Sequence, residues 1–503
     1  MSDLLEQLGL WLNANEGVLE GIAVMIAVVA IVMPRFGLRI FRQNNAPDLS
    51  KVDPRNLPVH PAYLAAYTGV MDKPEGGSVF APKFGRNKKS EGGQGVLDEE
   101  ALEQAGRPVI AVFAPECPPG LEARADYQGL AAIVAEEIAT GLDSIQSYDV
   151  IAGRVTRGFT GHVSDLGARY LVEGSLREGA LQDGAQSIRL IIRLVDVGSG
   201  RHLWSNRYTV AADDFYAQED ELVAQITAAV FERMQEAEAE RASRADPDRL
   251  DAWSLSVLAF SSVAGTDHTG QLNAEALARK AVEQEPESGY AHAVLAATLV
   301  QKLGFDRAKF DPKDIEDIRH AVSAARVFSS SDSLVLSIIG FVLTSLGDFG
   351  EAEDILERSI ELNPSNARGW AGLGRALRNL GRVDEAVIKL ERALRLAPRD
   401  SLAFLWWYWI STCYLMQKDF AAAIEACRHV IAINRSMFWA WLALAAALAQ
   451  QGRQVEAEDA LAEALALNSD VTADTIDLWI EDSMGKVVDA STFKEGLLKA
   501  GLK

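Results

Sequence analysis

The sequence contains few of the residues that build disulfide frameworks or metal sites. Its 503 residues include three cysteines, Cys117, Cys413 and Cys427, and seven histidines. Cysteines so few and so widely spaced exclude a disulfide-stabilised scaffold. No histidine pairs with another at the spacing of a zinc ligand set. We therefore expect neither a bound metal nor a cofactor.

Positive charge is also scarce. Lys and Arg number 49 and Asp and Glu number 71, which gives a formal net charge of −22. Because nucleic-acid phosphates are bound by basic surfaces, this balance argues against general nucleic-acid binding. The apolar fraction of 49% and the charged fraction of 24% are typical of a folded chain. Its length predicts roughly three folding units.

The motifs of common enzyme classes are missing as well. The sequence has no G-x-x-x-x-G-K-[ST] phosphate loop, no H-E-x-x-H, no G-x-S-x-G and no C-x-x-C. Gly372 and Gly374 lack the third glycine of a dinucleotide-binding fingerprint. His162 and His202 stand alone, and a lone histidine is more often structural than catalytic. We expect a protein that is not an enzyme.

One long apolar run lies near the amino terminus, from Gly21 to Met33, with further apolar residues on both sides. A membrane span needs about 17–25 apolar residues, so residues 1–42 are predicted to be a membrane anchor. A buried core helix is the alternative. No Lys or Arg precedes the run, whereas Arg35, Arg39 and Arg42 follow it. The positive-inside rule therefore predicts a single-pass protein of the bacterial inner membrane with its bulk in the cytoplasm. A periplasmic bulk is the alternative.

The next segment, residues 43–106, has the composition of a flexible linker. Prolines interrupt it repeatedly, glycine pairs occur at 76–77 and 92–93, and neither a helical nor a strand period persists.

Residues 107–236 are predicted to form an α/β domain. Short apolar or alternating runs at 109–113, 149–152, 168–176, 186–197 and 201–210 indicate strands, and apolar residues at helical spacing indicate helices over 127–142 and 215–234. The residues Tyr170, Glu173, Gly174, Ser175 and Asp196 stand at strand ends or turns. A ligand site there and ordinary turn chemistry are the two alternatives, and turn chemistry is favoured.

A family resemblance covers this same region. The blocks PVIAVFAPE, YQGLAAIVAEEIATGLDSI, YDVIAGRVTRGF, LGARYLVEGSLRE, IRLIIRLVDVGSGRHLWSNRY and FYAQEDELVAQI, in this order, resemble the TolB-amino-terminal-like (FlgO-like) domain. In that family the domain often stands between a signalling output module, such as a class III adenylate cyclase, and tetratricopeptide repeats. The first 106 residues offer no such module, so the resemblance implies the non-catalytic part of a signalling architecture.

Internal repeats dominate the remainder of the chain. Pro364 and Pro398 are 34 residues apart, and large and small residues recur around them in the register of the tetratricopeptide repeat. Four regular copies and two looser ones predict an all-α solenoid over residues 250–470, and residues 471–503 are predicted to be carboxyl-terminal capping helices. Trp407 is expected to lie in the core of its repeat.

The inner face of such a solenoid is the predicted partner site. Inner-face positions of three consecutive repeats give the candidate binding residues Arg368, Arg375, Arg378, Asn379, Tyr408, Thr412, Met416, Trp439 and Leu442. Arginine forks suit carboxylates, so the predicted partner is a protein or peptide with an acidic end and bulky side chains. The alternative is that these arginines pair with Glu and Asp of neighbouring helices.

These features together predict a multidomain chain with an amino-terminal membrane helix, an α/β domain and an all-α tetratricopeptide-type solenoid. The function that they favour is a membrane-anchored, non-catalytic scaffold or signalling accessory. Two alternatives stand beside it: a small-molecule-sensing regulator of a separate adenylate cyclase or transcription factor, and a periplasmic envelope assembly factor.

Overall fold

The computed structural model describes residues 106–118, 125–152, 163–180, 186–263, 268–305, 312–477, 480 and 490–503. The predicted anchor, residues 1–42, and nearly all of the predicted linker lie outside these residues. In the part of the chain that is described, no helix combines the length and the apolar character that crossing a membrane requires.

The first described region is a five-stranded mixed sheet with two long helices. Its elements are β1 (Val109–Val112), α1 (Ala125–Asp143), β2 (Asp149–Ile151), β3 (Tyr170–Ala180), β4 (Gln186–Asp196), β5 (Arg201–Ala211) and α2 (Phe215–Ser243). The strand order is β2-β1-β3-β4-β5. Strand β1 pairs in parallel with both β2 and β3, whereas β3, β4 and β5 form an antiparallel meander. The observed element order is the one that the sequence pattern predicts.

Strands β3 and β4 alternate between a buried and a more open face, as the two-residue strand period requires. Tyr170, Leu176, Leu190 and Leu194 are at most 1% exposed, and the Tyr170 hydroxyl reaches α2. Helices α1 and α2 approach each other closely at Gly141, where an added Cβ atom would lie 2.8 Å from the Thr227 methyl carbon. The two helices therefore cover one face of the sheet.

A polar network joins β3 and β4 to α2. The Tyr170 hydroxyl donates to Glu238 Oε1 at 2.5 Å, and Arg169 donates to Glu238 Oε2 at 2.8 Å. Arg241 of α2 donates to Asp196 Oδ2 at 2.9 Å, and Asp196 Oδ1 also accepts from the backbone and the hydroxyl of Ser199. Burial raises the pKa of Tyr170, and Glu238 adds to the rise. The bonds between Asp196 and Ser199 are the turn chemistry that the sequence favours for Asp196, whereas Tyr170 contacts a helix.

The second region is a solenoid of six consecutive helix pairs. Its helices are α3 (Ala252–Val263), α4 (His268–Gln284), α5 (Gly289–Phe305), α6 (Pro312–Phe328), α7 (Ser333–Leu346), α8 (Phe349–Leu362), α9 (Ala367–Asn379), α10 (Val383–Leu396), α11 (Ala403–Met416), α12 (Phe420–Ile433), α13 (Phe438–Gln450) and α14 (Gln454–Leu467). Each helix packs against the next, and the first helices of successive pairs also touch.

Small residues set the distance between the two helices of a pair. A Cβ atom added at Gly374 of α9 would lie 2.6 Å from Leu390 Cγ and 3.1 Å from the Ala386 carbonyl oxygen, both on α10. Three helix pairs turn through a glycine with positive φ, Gly347, Gly381 and Gly452, the backbone region that glycine enters without steric cost. The residues that recur with the repeat period therefore stand where paired helices touch and where the chain turns between them.

A last helix, α15 (Ser491–Lys499), follows the solenoid. It packs against α13 and also contacts α11, so it lies on the first helices of two successive pairs. Its Gly496 sits directly on Ala446 of α13, where an added Cβ atom would lie 2.6 Å from the Ala446 carbonyl oxygen. Phe493 and Leu497 of α15 are buried.

Candidate inner-face site of the repeats

The nine predicted binding residues lie on the three first helices α9, α11 and α13. Arg368, Arg375, Arg378 and Asn379 belong to α9, the residues Tyr408, Thr412 and Met416 belong to α11, and Trp439 and Leu442 belong to α13. The structure brings several of them together, because Arg378 of α9 reaches Thr412 and the Tyr408 ring lies 6.5 Å from the Trp439 ring. Their role in partner binding stays a prediction.

Arg368 contacts residues from two other parts of the chain. Its Nε donates to Asp400 Oδ2 at 3.0 Å, with the two side chains 17% and 5% exposed. Its guanidinium carbon lies 5.2 Å from the centre of the Phe260 ring of α3. Asp400 lies in the loop before α11, so Arg368 forms the kind of ion pair that the alternative interpretation of the arginines predicted.

Glu232 of α2 belongs to the same buried charge cluster, which we define as Glu232, Arg368 and Asp400. Burial raises the pKa of the Glu232 carboxyl to about 7, and the Asp400 carboxylate adds to the rise. Arg233 and Arg368 act in the opposite direction, and Glu236 raises the pKa further. Glu232 is ion-paired with Arg233 at 3.4 Å, and its electrostatic interaction with Arg368 and Asp400 links the α/β domain with two repeats of the solenoid.

Arg375 lies between three first helices. It is half-buried, and its Nη1 donates to Ser345 Oγ of α7 at 2.9 Å. Its guanidinium carbon lies 5.1 Å from the Phe341 ring and 5.4 Å from the Trp409 ring. An arginine beside two aromatic rings gains cation–π attraction on both sides.

Arg378 is fully buried. Its Nε and Nη2 donate to Asn379 Oδ1 at 3.0 and 2.9 Å, and its Nη1 donates to Thr412 Oγ1 at 2.9 Å. Burial lowers the pKa of the Arg378 guanidinium. Asn379 and Thr412 are buried with it. These three residues form an inter-repeat contact between α9 and α11.

The aromatic and apolar candidates differ in their exposure. Tyr408 and Leu442 are buried, whereas Met416 and Trp439 are half-buried. The predicted core position of Trp407 needs correction: Trp406 and Trp409 are 1% and 7% exposed, but Trp407 is half-buried and stacks on His429 with 4.6 Å between ring centres. Trp407 packs between the two helices of its own pair, so its outer edge reaches the surface.

The α/β domain packs along the edge of the solenoid where the first helices begin. Ser144 accepts a bond from the backbone N–H of Ser333, and the Asn363 side chain donates to the Gly141 carbonyl oxygen at 3.1 Å. Further ties are the bond from Gln146 Nε2 to Ser331 Oγ at 3.1 Å and the ion pair between Arg392 and Glu221. The repeats thus hold a domain of their own chain at this edge.

Sequence reasoning missed the acidic members of the charge cluster and the contribution of α15. Asp400 accepts from the Leu402 N–H at 2.8 Å in the turn before α11, a local pattern that the sequence does carry. Glu232 and Phe260 have no such signal. In α13, Gln450 donates to the Thr492 carbonyl oxygen and accepts from Lys499 Nζ, so the inner face of the last repeat is in contact with α15.

No cluster of three or more His, Cys, Asp or Glu side chains among the described residues could hold a metal ion. Burial raises the pKa of both Cys413 and Cys427 to about 12. Both thiols lie in the core of one helix pair and behave as small apolar groups.

Two sequence models of the tetratricopeptide repeat match the chain, one over residues 343–401 and 390–437 and the other over residues 414–473. Together with the helix pairs described above, they show that the chain contains tetratricopeptide repeats.

A curated relative and several solved structures are similar to this chain. "Putative adenylate cyclase 3" of Rhizobium meliloti (strain 1021) is 27% identical over 170 residues, which are 32% of this chain and 28% of that protein. The chain thus spans little more than a quarter of that relative. The crystal structure of the APC/C hetero-tetramer Cut9–Hcn1 has a TM-score of 0.39 at 15% identity, covering 53% of this chain and 49% of that one. YrrB, titled "a TPR protein with an unusual peptide-binding site", has a TM-score of 0.28 at 19% identity, covering 38% and 93%.

Proposed function

We propose that the protein is a non-catalytic scaffold that binds a protein partner through its tetratricopeptide repeats. The observation that carries the proposal is the run of six helix pairs, α3 to α14, whose register matches that of the repeat family over residues 343–473. Stacked helix pairs build an extended inner surface, and proteins of this architecture use it to bind other chains.

Within that surface, the part around Arg375 suits a partner best. Arg378 is fully buried and Arg368 is ion-paired with Asp400. Arg375, Met416 and Trp439 are half-buried and lie on three consecutive first helices, where Arg375 also contacts Ser345, Phe341 and Trp409. A guanidinium flanked by aromatic rings would attract a carboxylate, and the neighbouring Met and Trp side chains would contact bulky apolar groups. The proposed ligand is a peptide segment with an acidic end.

A photo-crosslinking residue placed at Met416 in the full chain tests this proposal. We expect it to capture one partner from native membranes, and we expect that capture to fail when Arg375→Gln is added. A crosslinker at Ile388, which is 60% exposed on α10, is the matched control on an outer helix. Equal capture of the same protein from both positions would contradict binding on the inner face.

We further propose that the scaffold is anchored in the inner membrane through residues 1–42, with its bulk in the cytoplasm. The apolar run Gly21–Met33 and the arginines that follow it support this orientation. A reporter fused after Lys503 distinguishes the compartments. Activity of a cytoplasmic reporter is expected, and activity of a periplasmic reporter would contradict the orientation and favour envelope assembly.

A second candidate function is regulation of a separate adenylate cyclase, with the α/β domain as the sensing element. The similarity to the Rhizobium meliloti protein named as an adenylate cyclase favours it, as does the resemblance of residues 107–236 to the TolB-amino-terminal-like domain. Deletion of the gene would then change cyclic AMP in cells that retain their cyclases. Unchanged cyclic AMP under conditions that activate those cyclases would exclude this role.

A further inference from the structure

The face of the sheet that points away from α1 and α2 carries a cluster of arginines. The cluster consists of Arg177 on β3, Arg189 and Arg193 on β4, and Arg207 on β5. Arg177 stands directly opposite Arg189, and Arg193 stands opposite Ser205. We call these four side chains the arginine face.

The arginine face is exposed and poorly compensated. Arg177 and Arg207 are exposed, and Arg189 and Arg193 are half-buried. Among the described residues, Arg193 lies 3.8 Å from Glu173, and no ion pair involves the other three arginines. Like charges directly opposite each other destabilise a sheet. The fold therefore carries a cost here that an external anion would offset.

Protection of a sheet edge does not explain this arrangement. Natural sheets place charged residues on edge strands to prevent strand pairing between molecules. In the order β2-β1-β3-β4-β5, only β5 among the three arginine-bearing strands lies at an edge. Arg207 could serve that purpose, but Arg177, Arg189 and Arg193 lie on interior strands.

The shape of the arginine face selects the class of anion. Arg189 and Arg193 are four residues apart on one strand, roughly 13 Å, and the cluster crosses three strands about 4.8 Å apart. Ser175, Ile191 and Thr209, which lie among the arginines on this face, are not aromatic, and the pairing places His202 opposite Val195 at one end of the face. Single-stranded nucleic acids require stacking platforms, and a single carboxylate needs one arginine rather than a plane of four.

We propose that the arginine face binds the anionic headgroup surface of a membrane. This rests on the proposed function in one respect, the predicted anchor, which would keep the α/β domain near a bilayer. If residues 43–106 form the linker that their composition predicts, random-coil scaling gives it a root-mean-square span of about 45 Å. Tethering at that distance raises the local concentration of the domain, so four arginines suffice for a contact that would be weak in free solution.

An environment-sensitive dye on the arginine face tests the proposal. The dye is attached at Thr209→Cys in a Cys117→Ser background of the full chain. Thr209 is exposed on the same face, opposite Arg189, whereas Cys413 and Cys427 are buried and unreactive. The probes are vesicles of phosphatidylcholine alone and vesicles of phosphatidylcholine with phosphatidylglycerol.

We expect a dye shift with the anionic vesicles only, which decreases as salt rises because screening shortens the reach of the charges. The double variant Arg177→Gln and Arg189→Gln is expected to abolish the shift. The double variant Arg177→Lys and Arg189→Lys is expected to keep it, because a charged surface attracts Lys and Arg alike. Arg358→Gln with Arg428→Gln, two exposed arginines of the outer helices, is the control with the same change in net charge.

Two results would overturn the proposal. An equal dye response to neutral and anionic vesicles, or none to either, would show that the arginine face does not bind the headgroup surface. A response to anionic vesicles that the Lys variant also loses would indicate bidentate recognition of single phosphate groups rather than attraction to a charged surface. Co-sedimentation of the full chain with neutral vesicles measures membrane attachment through the predicted anchor, because neutral vesicles offer no charge to the arginine face. Failure of the anchoring proposal and failure of this one are therefore distinguishable.

Discussion

Replacing Arg368 with Ala tests whether this arginine belongs to the fold or to an open binding surface. The change removes the cation from the charge cluster and leaves Asp400 and Glu232, which are 8% and 6% exposed, without it. It also removes the guanidinium that lies 5.2 Å from the Phe260 ring. Breaking a buried ion pair by removing one partner costs about 3–5 kcal/mol.

The loss is expected to depend on pH. The pKa of Glu232 is already raised to about 7 in the folded chain by burial and by Asp400. Without Arg368 that pKa rises further, since the arginine favours the ionised carboxylate. At about pH 5 Glu232 is protonated and Asp400 is the negative charge left without Arg368, whereas at about pH 8 the ionised Glu232, which keeps its ion pair with Arg233, adds a second negative charge. The destabilisation is therefore larger at the higher pH.

Thermal unfolding of the full chain at the two pH values measures the effect. A loss of 3 kcal/mol lowers Tm by roughly 6–12 °C for a unit of 150–250 residues. Arg368→Lys keeps the charge and should recover most of the pH-dependent part. Arg358→Ala, whose ion pair with Glu361 is on the surface, is the control and should change stability by less than about 0.5 kcal/mol. A loss below about 1 kcal/mol at both pH values would refute the assignment of Arg368 to the fold.

Three further outcomes are expected. Gly374→Ala should destabilise the solenoid, because overpacking against Leu390 costs about 1–3 kcal/mol and the gain in helix propensity returns only about 1 kcal/mol. Gly350→Ala in α8 has no atom within 4 Å of the added carbon and should stabilise the solenoid by about 0.5–1 kcal/mol. Urea unfolding compares the two variants. The wild type should lose about 3 kcal/mol of stability as pH rises from about 4.5 through 7, since a carboxyl with a raised pKa stabilises the fold only while it is protonated. Glu232→Gln should remove this loss. A wild-type stability that is flat over this range would contradict the raised pKa. Mass spectrometry after alkylation of the native chain should find Cys413 and Cys427 unmodified, because burial raises the pKa of both thiols to about 12, and rapid modification of either would show that its helix pair opens.

The sequence predicts the local elements well because they depend on short-range patterns. Alternation in Gln186–Asp196 gives a strand with one buried face, and the recurrence of small residues such as Gly374 predicts where paired helices touch. Pro364 and Pro398 mark the ends of helix pairs, because proline tends to follow a helix that it cannot continue. Each of these signals lies within one repeat or one strand.

The candidate site could be predicted only in part. The repeat register places Arg368, Arg375 and Arg378 on one helix, but it does not tell what packs against them. The contact between Arg368 and Phe260 joins residues of the first and fourth helix pairs, and Glu232 comes from the α/β domain. Such contacts depend on how the solenoid curves and on what docks at its edge, which a periodic sequence does not encode locally.

The aromatic cluster shows the same limit. Trp406, Trp407 and Trp409 differ by one to three positions, so a small rotation of α11 decides which of them is buried. The structure buries Trp406 and Trp409 and leaves Trp407 half-buried on His429. The Trp409 ring lies 5.4 Å from the guanidinium carbon of Arg375 in α9, a contact between repeats that the consensus positions of a single repeat do not describe.

The affinity of the crosslinked partner for the full chain shows whether the repeats bind it through their inner face. We predict that Arg375→Gln weakens binding about tenfold or more, since a hydrogen bond to a charged group contributes about 1.5–3 kcal/mol. Arg358→Gln on the outer surface should leave the affinity unchanged. A partner that binds the Arg375 variant within about twofold of the wild type would contradict binding through the inner face of the repeats.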